Sequence, residues 1–259
     1  VVSRPFARGF RAECALNLAV QKVYPMNLAR SSLFVASAAT ACLAHASFAA
    51  LITVGPGGTA AGYQFGQIAD AVAAAQAGDV IHAATRAENA PRFSYGAFDL
   101  ESAAPGVELT WGFSPGVMEV GGNMRVGPNA SLFFEWAGTD NSAALTNGRV
   151  QYDTIFVDGD FTLNGTMNVA LSGSYVPQAG HSFELVSTDG VVVTTGALSL
   201  HVLLPALSGG LSWTLSTGAS TYASQGYAGQ SIFATIVPGP GSAALLAAAG
   251  VAGARRRRR

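Results

Sequence analysis

The stretch Tyr152–Pro177 reads YDTIFVDGDFTLNGTMNVALSGSYVP. Three short runs, 154–157, 160–163 and 166–171, gather β-branched and aromatic residues, which fit a pleated, half-buried surface. Asp158-Gly159 and Asn164-Gly165 separate the runs. Both pairs make tight turns because they tolerate positive φ. The spacing predicts three strands and a mainly β body. It fits antiparallel hairpins and the corners of a β-solenoid alike, and the residues leave that choice open.

The same style continues on both sides. Upstream, GVMEVGGNMRVGPNASLFFEW (116–136) brings Val117, Met118 or Glu119, Val120, Met124, Val126, Leu132 and Phe134 to one side of short strands. Gly121-Gly122 and Gly127-Pro128-Asn129 punctuate them. Downstream, LPALSGGLSWTL (204–215) and QSIFATIV (230–237) supply the last strands. No clean repeat period runs through the chain. The composition agrees: charged residues make up 11% of the 259 and there are 31 glycines, which suits short strands and turns better than a charged helical bundle.

Nearer the N-terminus the pattern changes. Leu51–Val54 reads as a strand and Gly55-Pro56-Gly57-Gly58 as a turn. Phe65, Ile68, Ala69, Val72 and Ala75 or Gln76 keep helical spacing, Gly78 supplies a stop, and 79–83 reads as a second strand. The glycines of 55–62 lack the Gly-Lys-Ser/Thr ending of a phosphate loop and read as turn punctuation. This strand–helix–strand opening resembles the start of pectate-lyase-like right-handed β-helix proteins. The resemblance implies a short right-handed β-solenoid whose open apolar end is capped by the one N-terminal helix; a β-sandwich is the alternative. It carries over no catalytic residue. The stretch 148–190 resembles repeats common in exported bacterial β-solenoid and autotransporter-like proteins, through Tyr152-Asp153, Gly165-Thr166, Tyr175-Val176-Pro177 and Gly180-His181-Ser182-Phe183. These imply stacking and turn positions.

The two ends carry addresses. MNLARSSLFVASAATACLAHASFAA (26–50) has one arginine, an apolar run from Leu33 to Leu43 and small residues after it, the layout of a secretory signal peptide. Ala44-His45-Ala46 offers a cleavage site and Ser47-Phe48-Ala49 a second. A buried core helix is the alternative for this run, and Ala39-Thr40-Ala41-Cys42 offers a lipoprotein box. Residues 1–25 read as an over-extended, unstructured start, 26–49 as the signal, 50–236 as the passenger body and 237–259 as a sorting tail. Both cysteines, Cys14 and Cys42, fall outside the body, so no disulfide is expected in it.

Between Ala50 and Pro240 stand four arginines, no lysine and fourteen acids, a net charge of about −10. Such a body has no electrostatic means of holding nucleic acid. By contrast, Arg255, Arg256, Arg257, Arg258 and Arg259 close the chain. Before them Gly241–Ala254 carries no charge; as a helix it spans about 21 Å at about 1.5 Å per residue. Extension back to Ile236 gives about 28 Å, near the hydrocarbon thickness of about 30 Å. The arginines then stop transfer on the cytoplasmic side.

Val237-Pro238-Gly239-Pro240, the apolar run and the terminal arginines resemble a PEP-CTERM sorting signal. The family's Pro-Glu-Pro reads Pro-Gly-Pro here. The resemblance implies a Gram-negative bacterial protein that passes an export translocase and stays in the inner membrane as a precursor. An exosortase-type transpeptidase then processes it for the cell surface or the exterior. It further implies a biofilm or extracellular-polysaccharide association.

Catalytic candidates are sparse, and none is assigned. His82, His181 and His201 stand singly and read as structural. Asp153, Asp158 and Asp160 form the densest acid group and read as turn formers, with Ca²⁺ ligation as the alternative; no metal or other cofactor is expected. Trp111, Trp136 and Trp213 read as core, with a sugar-stacking platform as the alternative. No Gly-x-Ser-x-Gly elbow occurs. The sequence therefore leads to a non-enzymatic, exported cell-envelope or extracellular structural protein. The alternatives are a polysaccharide-lyase-like β-helix enzyme and a glycan-binding adhesin.

Overall fold

The computed structural model describes residues 49–85, 94–101, 103–112, 115–146 and 149–239. Among these the strands are β1 (Leu51–Val54), β2 (Val80–Ala83), β3 (Tyr95–Asp99), β4 (Val107–Trp111), β5 (Val117–Val126), β6 (Ala130–Trp136), β7 (Thr154–Val157), β8 (Phe161–Leu163), β9 (Thr166–Leu171), β10 (Ser182–Thr188), β11 (Val192–Thr194), β12 (Val202–Leu203), β13 (Leu211–Ala219) and β14 (Gln230–Pro238). One α-helix, α1 (Ile68–Ala74), lies between β1 and β2.

The strands form two sheets that nearly close around one core. The first runs β1-β2-β4-β6-β9-β12, parallel throughout. The second runs β11-β8-β5-β7-β10-β14-β13, with β3 also on β5. It is parallel except where β14 pairs antiparallel with β10 and β13.

The pairing excludes hairpins at these turns. β7 lies between β5 and β10, β8 between β5 and β11, and β9 between β6 and β12. None of the three pairs with another, so Asp158-Gly159 and Asn164-Gly165 close no hairpin. The expected reason for their glycines also changes. Gly159 and Gly165 are not among the positive-φ glycines. They are needed because neighbouring turns of chain come too close for a side chain. A Cβ on Gly165 would run into the carbonyl oxygens of Gly127 and Ala130. One on Gly159 would lie 3.0 Å from the carbonyl carbon of Gly122. On Gly190 it would lie 2.9 Å from that of Gly159, and on Gly229 2.7 Å from the nitrogen of Gly190. Gly159, Gly190 and Gly229 therefore stack corner on corner. Gly190→Ala is expected to lower stability by about 1–3 kcal/mol through overpacking against backbone. Gly96→Ala, where the nearest atom would be the end of the Gln67 side chain at 3.6 Å, should stay within about 0.5 kcal/mol. Urea midpoints of the two variants compare them.

Period-two alternation builds the interior. In register, Ile52, Ile81, Leu109, Leu132, Met167 and Val202 form one inward ladder across all six strands of the first sheet, and all are buried. Their neighbours in sequence point outward and stay half-buried, as Thr53, His82, Thr110, Phe133 and Asn168 do. In the second sheet Met118, Ile155 and Val186 stack likewise.

The helix is shorter than its periodicity predicts. Phe65 bridges Val54 and accepts the Gly55 N–H at 3.0 Å, so its backbone is committed to β1 before α1 begins. α1 buries Ile68, Ala71 and Val72 and packs on β1, β2 and β3. No described helix is long and apolar enough to cross a membrane.

Candidate functional site

β14 fixes where the expected sorting motif leaves the body. Ile232, Ala234 and Ile236 are fully buried at period two, the pattern of a strand with one face in the core. Ile236 pairs with Trp213, Val237 with Ser212 and Pro238 with Leu211. On the other side, the Ile236 N–H donates to the His181 carbonyl and the Gly180 N–H to the Ile236 carbonyl, both at 2.8 Å. The Gly239 N–H donates to the Gly210 carbonyl at 2.6 Å. The helix extension back to Ile236 is therefore corrected: residues 236–238 are strand, because their hydrogen bonds and buried face belong to the sheet. Pro240, the run 241–254 and Arg255–Arg259 lie outside the described residues, as do Ala44 and Ala46. Ala49 is described and exposed.

The three calcium candidates do not come together. Among the described residues no three His, Cys, Asp or Glu side chains gather as a metal site. Asp153 is buried, and its two carboxylate oxygens accept the Gly116 N–H at 2.5 Å and the Glu135 N–H at 2.6 Å. Burial pushes its carboxyl up to about 8, against the pull of those two donors. Asp158 and Asp160 sit exposed at the corner. Asp160 Oδ1 accepts the Val191 N–H at 3.0 Å, while the Asp160 N–H donates to Asn123 Oδ1 at 2.9 Å. Gln230 Oε1 continues the series by accepting the Val192 N–H at 2.9 Å. Asp79 works the same way near α1, accepting the N–H groups of Ala50 and Gln76, which hold its carboxyl below the usual range. These polar side chains tie one turn of chain to the next.

One polar cluster escapes the sequence. Glu184, on β10, is buried. Its Oε1 accepts the Ser187 and Ser231 hydroxyls, each at 2.5 Å. Thr221 donates its hydroxyl to Oε2. The carboxylate thus exchanges water for hydroxyls from three segments and fastens residues 220–221 to β10 and β14. Tyr222 beside it donates to the Asn141 carbonyl at 3.1 Å; burial, followed by the Glu184 charge, pushes its phenol up to about 12. Tyr222 and Tyr227 close over Phe156, the outward residue of β7, with Ala144 and Leu145. This second apolar cluster is why every residue of β7 is buried. The available signal was a single acid inside the otherwise uncharged run Ser182–Thr188.

His82 is half-buried on β2, while His181 and His201 are built into turns. His181 Nδ1 meets the Tyr175 hydroxyl at 2.6 Å. His201 is buried between the carbonyls of Gly165 and Thr195, each 2.8 Å from a ring nitrogen. Trp111 and Trp136 are in the core, as expected. Trp213 is half-buried and donates its Nε1–H to the Pro205 carbonyl at 2.8 Å. It lines a groove of about 530 Å³ between residues 197–204 and β13. A second groove, of about 420 Å³, lies between α1, β3 and β5 and includes Arg125 and Asp99, 3.8 Å apart.

The fold and these sites define a mainly β body whose last strand runs into the Val237–Pro240 motif. No family model and no curated protein matches the chain.

Proposed function

We propose that the chain is an exported structural protein of the cell envelope or exterior. Residues 237–259 hold its precursor in the inner membrane, and an exosortase-type transpeptidase processes it there. In this reading the body is a short right-handed β-solenoid. Supporting the solenoid are the all-parallel six-strand ladder, the stacked corner glycines and α1 packed on the first strands of both sheets. Asp79, Asp153, Asp160 and Glu184 spend their carboxylates on backbone and hydroxyl donors, which suits a scaffold. A biofilm or polysaccharide association rests on the tail resemblance alone, as do the translocase and the transpeptidase as partners.

The carrying observation is the position of the motif. The last paired residue of the body, Pro238, lies inside it, so the motif begins within the sheet itself. The pairing also predicts where processing occurs. With Val237 and Pro238 in the sheet and Gly239 bonded to Gly210, a cut in the folded protein falls after Gly239. Cell fractionation with mass spectrometry of both mature termini tests the reading. The expected result is a membrane precursor beginning near residue 47 or 50, and a released form ending at or beyond Gly239. Changing Arg255–Arg259 to aspartate should disturb retention, because the positive-inside bias is lost. An intact chain in the cytosol, or localisation indifferent to the arginines, overturns the proposal.

A further inference from the structure

The groove beside Trp213 lies where the apolar core is only partly covered. At the other end of the first sheet, α1 seals the strands with buried side chains. Here β11 and β12 are the last strands of their parallel runs. Next along the chain is β13, a nine-residue strand with no fully buried residue. Leu211, Trp213 and Leu215 pack only partly against the core, as do Leu198 and Leu204. Nearby Leu200 is 71% exposed and Leu203 55%. The groove walls carry Ser199, Ser216 and Thr217 as their polar residues and no charge. Apolar surface this open in water favours an occupant.

The chain itself supplies one. Gly239 is bonded to Gly210, next to Leu211 at the start of β13. Trp213 and Leu215 lie two and four residues further along, about 7 and 13 Å at about 3.3 Å per residue. Twenty residues come after Gly239, and Ala243–Ala249 reads AALLAAA. Those twenty residues are long enough to reach Trp213 and Leu215 from Gly239. We infer that in aqueous solution Ala243–Ala249, with Leu245 and Leu246 foremost, docks in the groove against Trp213 and Leu215. This goes beyond the sorting reading and does not require it.

The tryptophans make the test clean. The chain has three, and Trp111 and Trp136 are 1% and 0% exposed, so collisional quenching reports mainly Trp213. Acrylamide quenching of the full chain in detergent-free buffer is compared with that of Leu245→Asp/Leu246→Asp. Both substitutions lie outside the described body, and far-UV circular dichroism checks that it stays folded. The expected result is weak quenching in the wild type and several-fold stronger quenching in the variant. A groove-side variant, Leu215→Asp, should speed elastase cutting within Ala243–Ala249 several-fold. Equal quenching in wild type and double variant overturns the inference, whether the groove stands open or the apolar 33–43 segment fills it. Quenching that falls with protein concentration in both proteins also overturns it, since a second copy is then the occupant.

Discussion

Trp136→Ala is expected to destabilise the body by about 3–5 kcal/mol, the range for truncating a fully buried aromatic side chain. Trp136 ends β6, in the first sheet, and is 0% exposed. It stacks on Phe183 of β10 with ring centres 4.0 Å apart and planes 4° from parallel. It also meets Trp213 of β13 at 5.6 Å, edge on. One side chain thus joins the first sheet to the second and to the C-terminal hairpin. Truncation leaves a cavity where three segments meet, and parallel ladders on either side leave little freedom to collapse into it. The indole N–H has no hydrogen-bond partner among the described residues. That makes Trp136→Phe informative: it keeps most of the stack and removes an unpaired buried donor, whose cost is about 1–3 kcal/mol. Trp136→Phe should therefore cost less than about 1.5 kcal/mol. Urea unfolding of both variants checks the pair. Similar losses in the two would mean that the ring stack is not what holds the sheets together.

Trp136 was legible as core because it closes an alternating run, Ala130–Trp136, whose inward residues are all apolar. The same reasoning placed 154–157 and 166–171, which are strands with those bounds. Pairing partners were not legible. Asp-Gly and Asn-Gly name a turn, but hairpin and corner ask for the same local residues. The difference lies in strands some thirty residues away, such as Val192 opposite Phe161. Nor could sequence show that Gly159 and Gly190 serve close approach, since that depends on the neighbouring turn. At the C-terminus QSIFATIV reads as the last strand and is one; the extension of the apolar run 241–254 back to Ile236 conflicted with it, and the core face at 232, 234 and 236 decides for the strand. Glu184 was missed because a lone acid in a strand says nothing of the hydroxyls that fold around it. Asp153, Asp158 and Asp160 read first as turn formers, and the sequence could not show what each one bonds. Asp153 and Asp160 are near in sequence, yet one points into the core and the other caps the next corner.

Asp153 leads to the second large effect, a stability that falls as pH rises. Its carboxyl is raised from the ordinary 3.8 to about 8, chiefly by burial. Between those values the folded chain holds a proton that the unfolded chain releases. Unfolding then sheds a proton, so stability decreases with pH across that window. Below about pH 4 both states are protonated and the contribution is complete; above about pH 8 it is gone. At about 1.4 kcal/mol per pH unit the whole span is on the order of 6 kcal/mol. Asp153→Asn removes the titration. Its amide has one acceptor oxygen for two N–H donors, those of Gly116 and Glu135, so the variant starts with a deficit of about 1–3 kcal/mol at acidic pH. The two urea-midpoint curves should approach each other or cross between about pH 5 and 9, with the wild type falling and the variant flatter. Parallel curves would show that the two backbone donors keep the carboxylate charged despite its burial. The tie between β6, residue 116 and the start of β7 would then be an anionic one at every working pH.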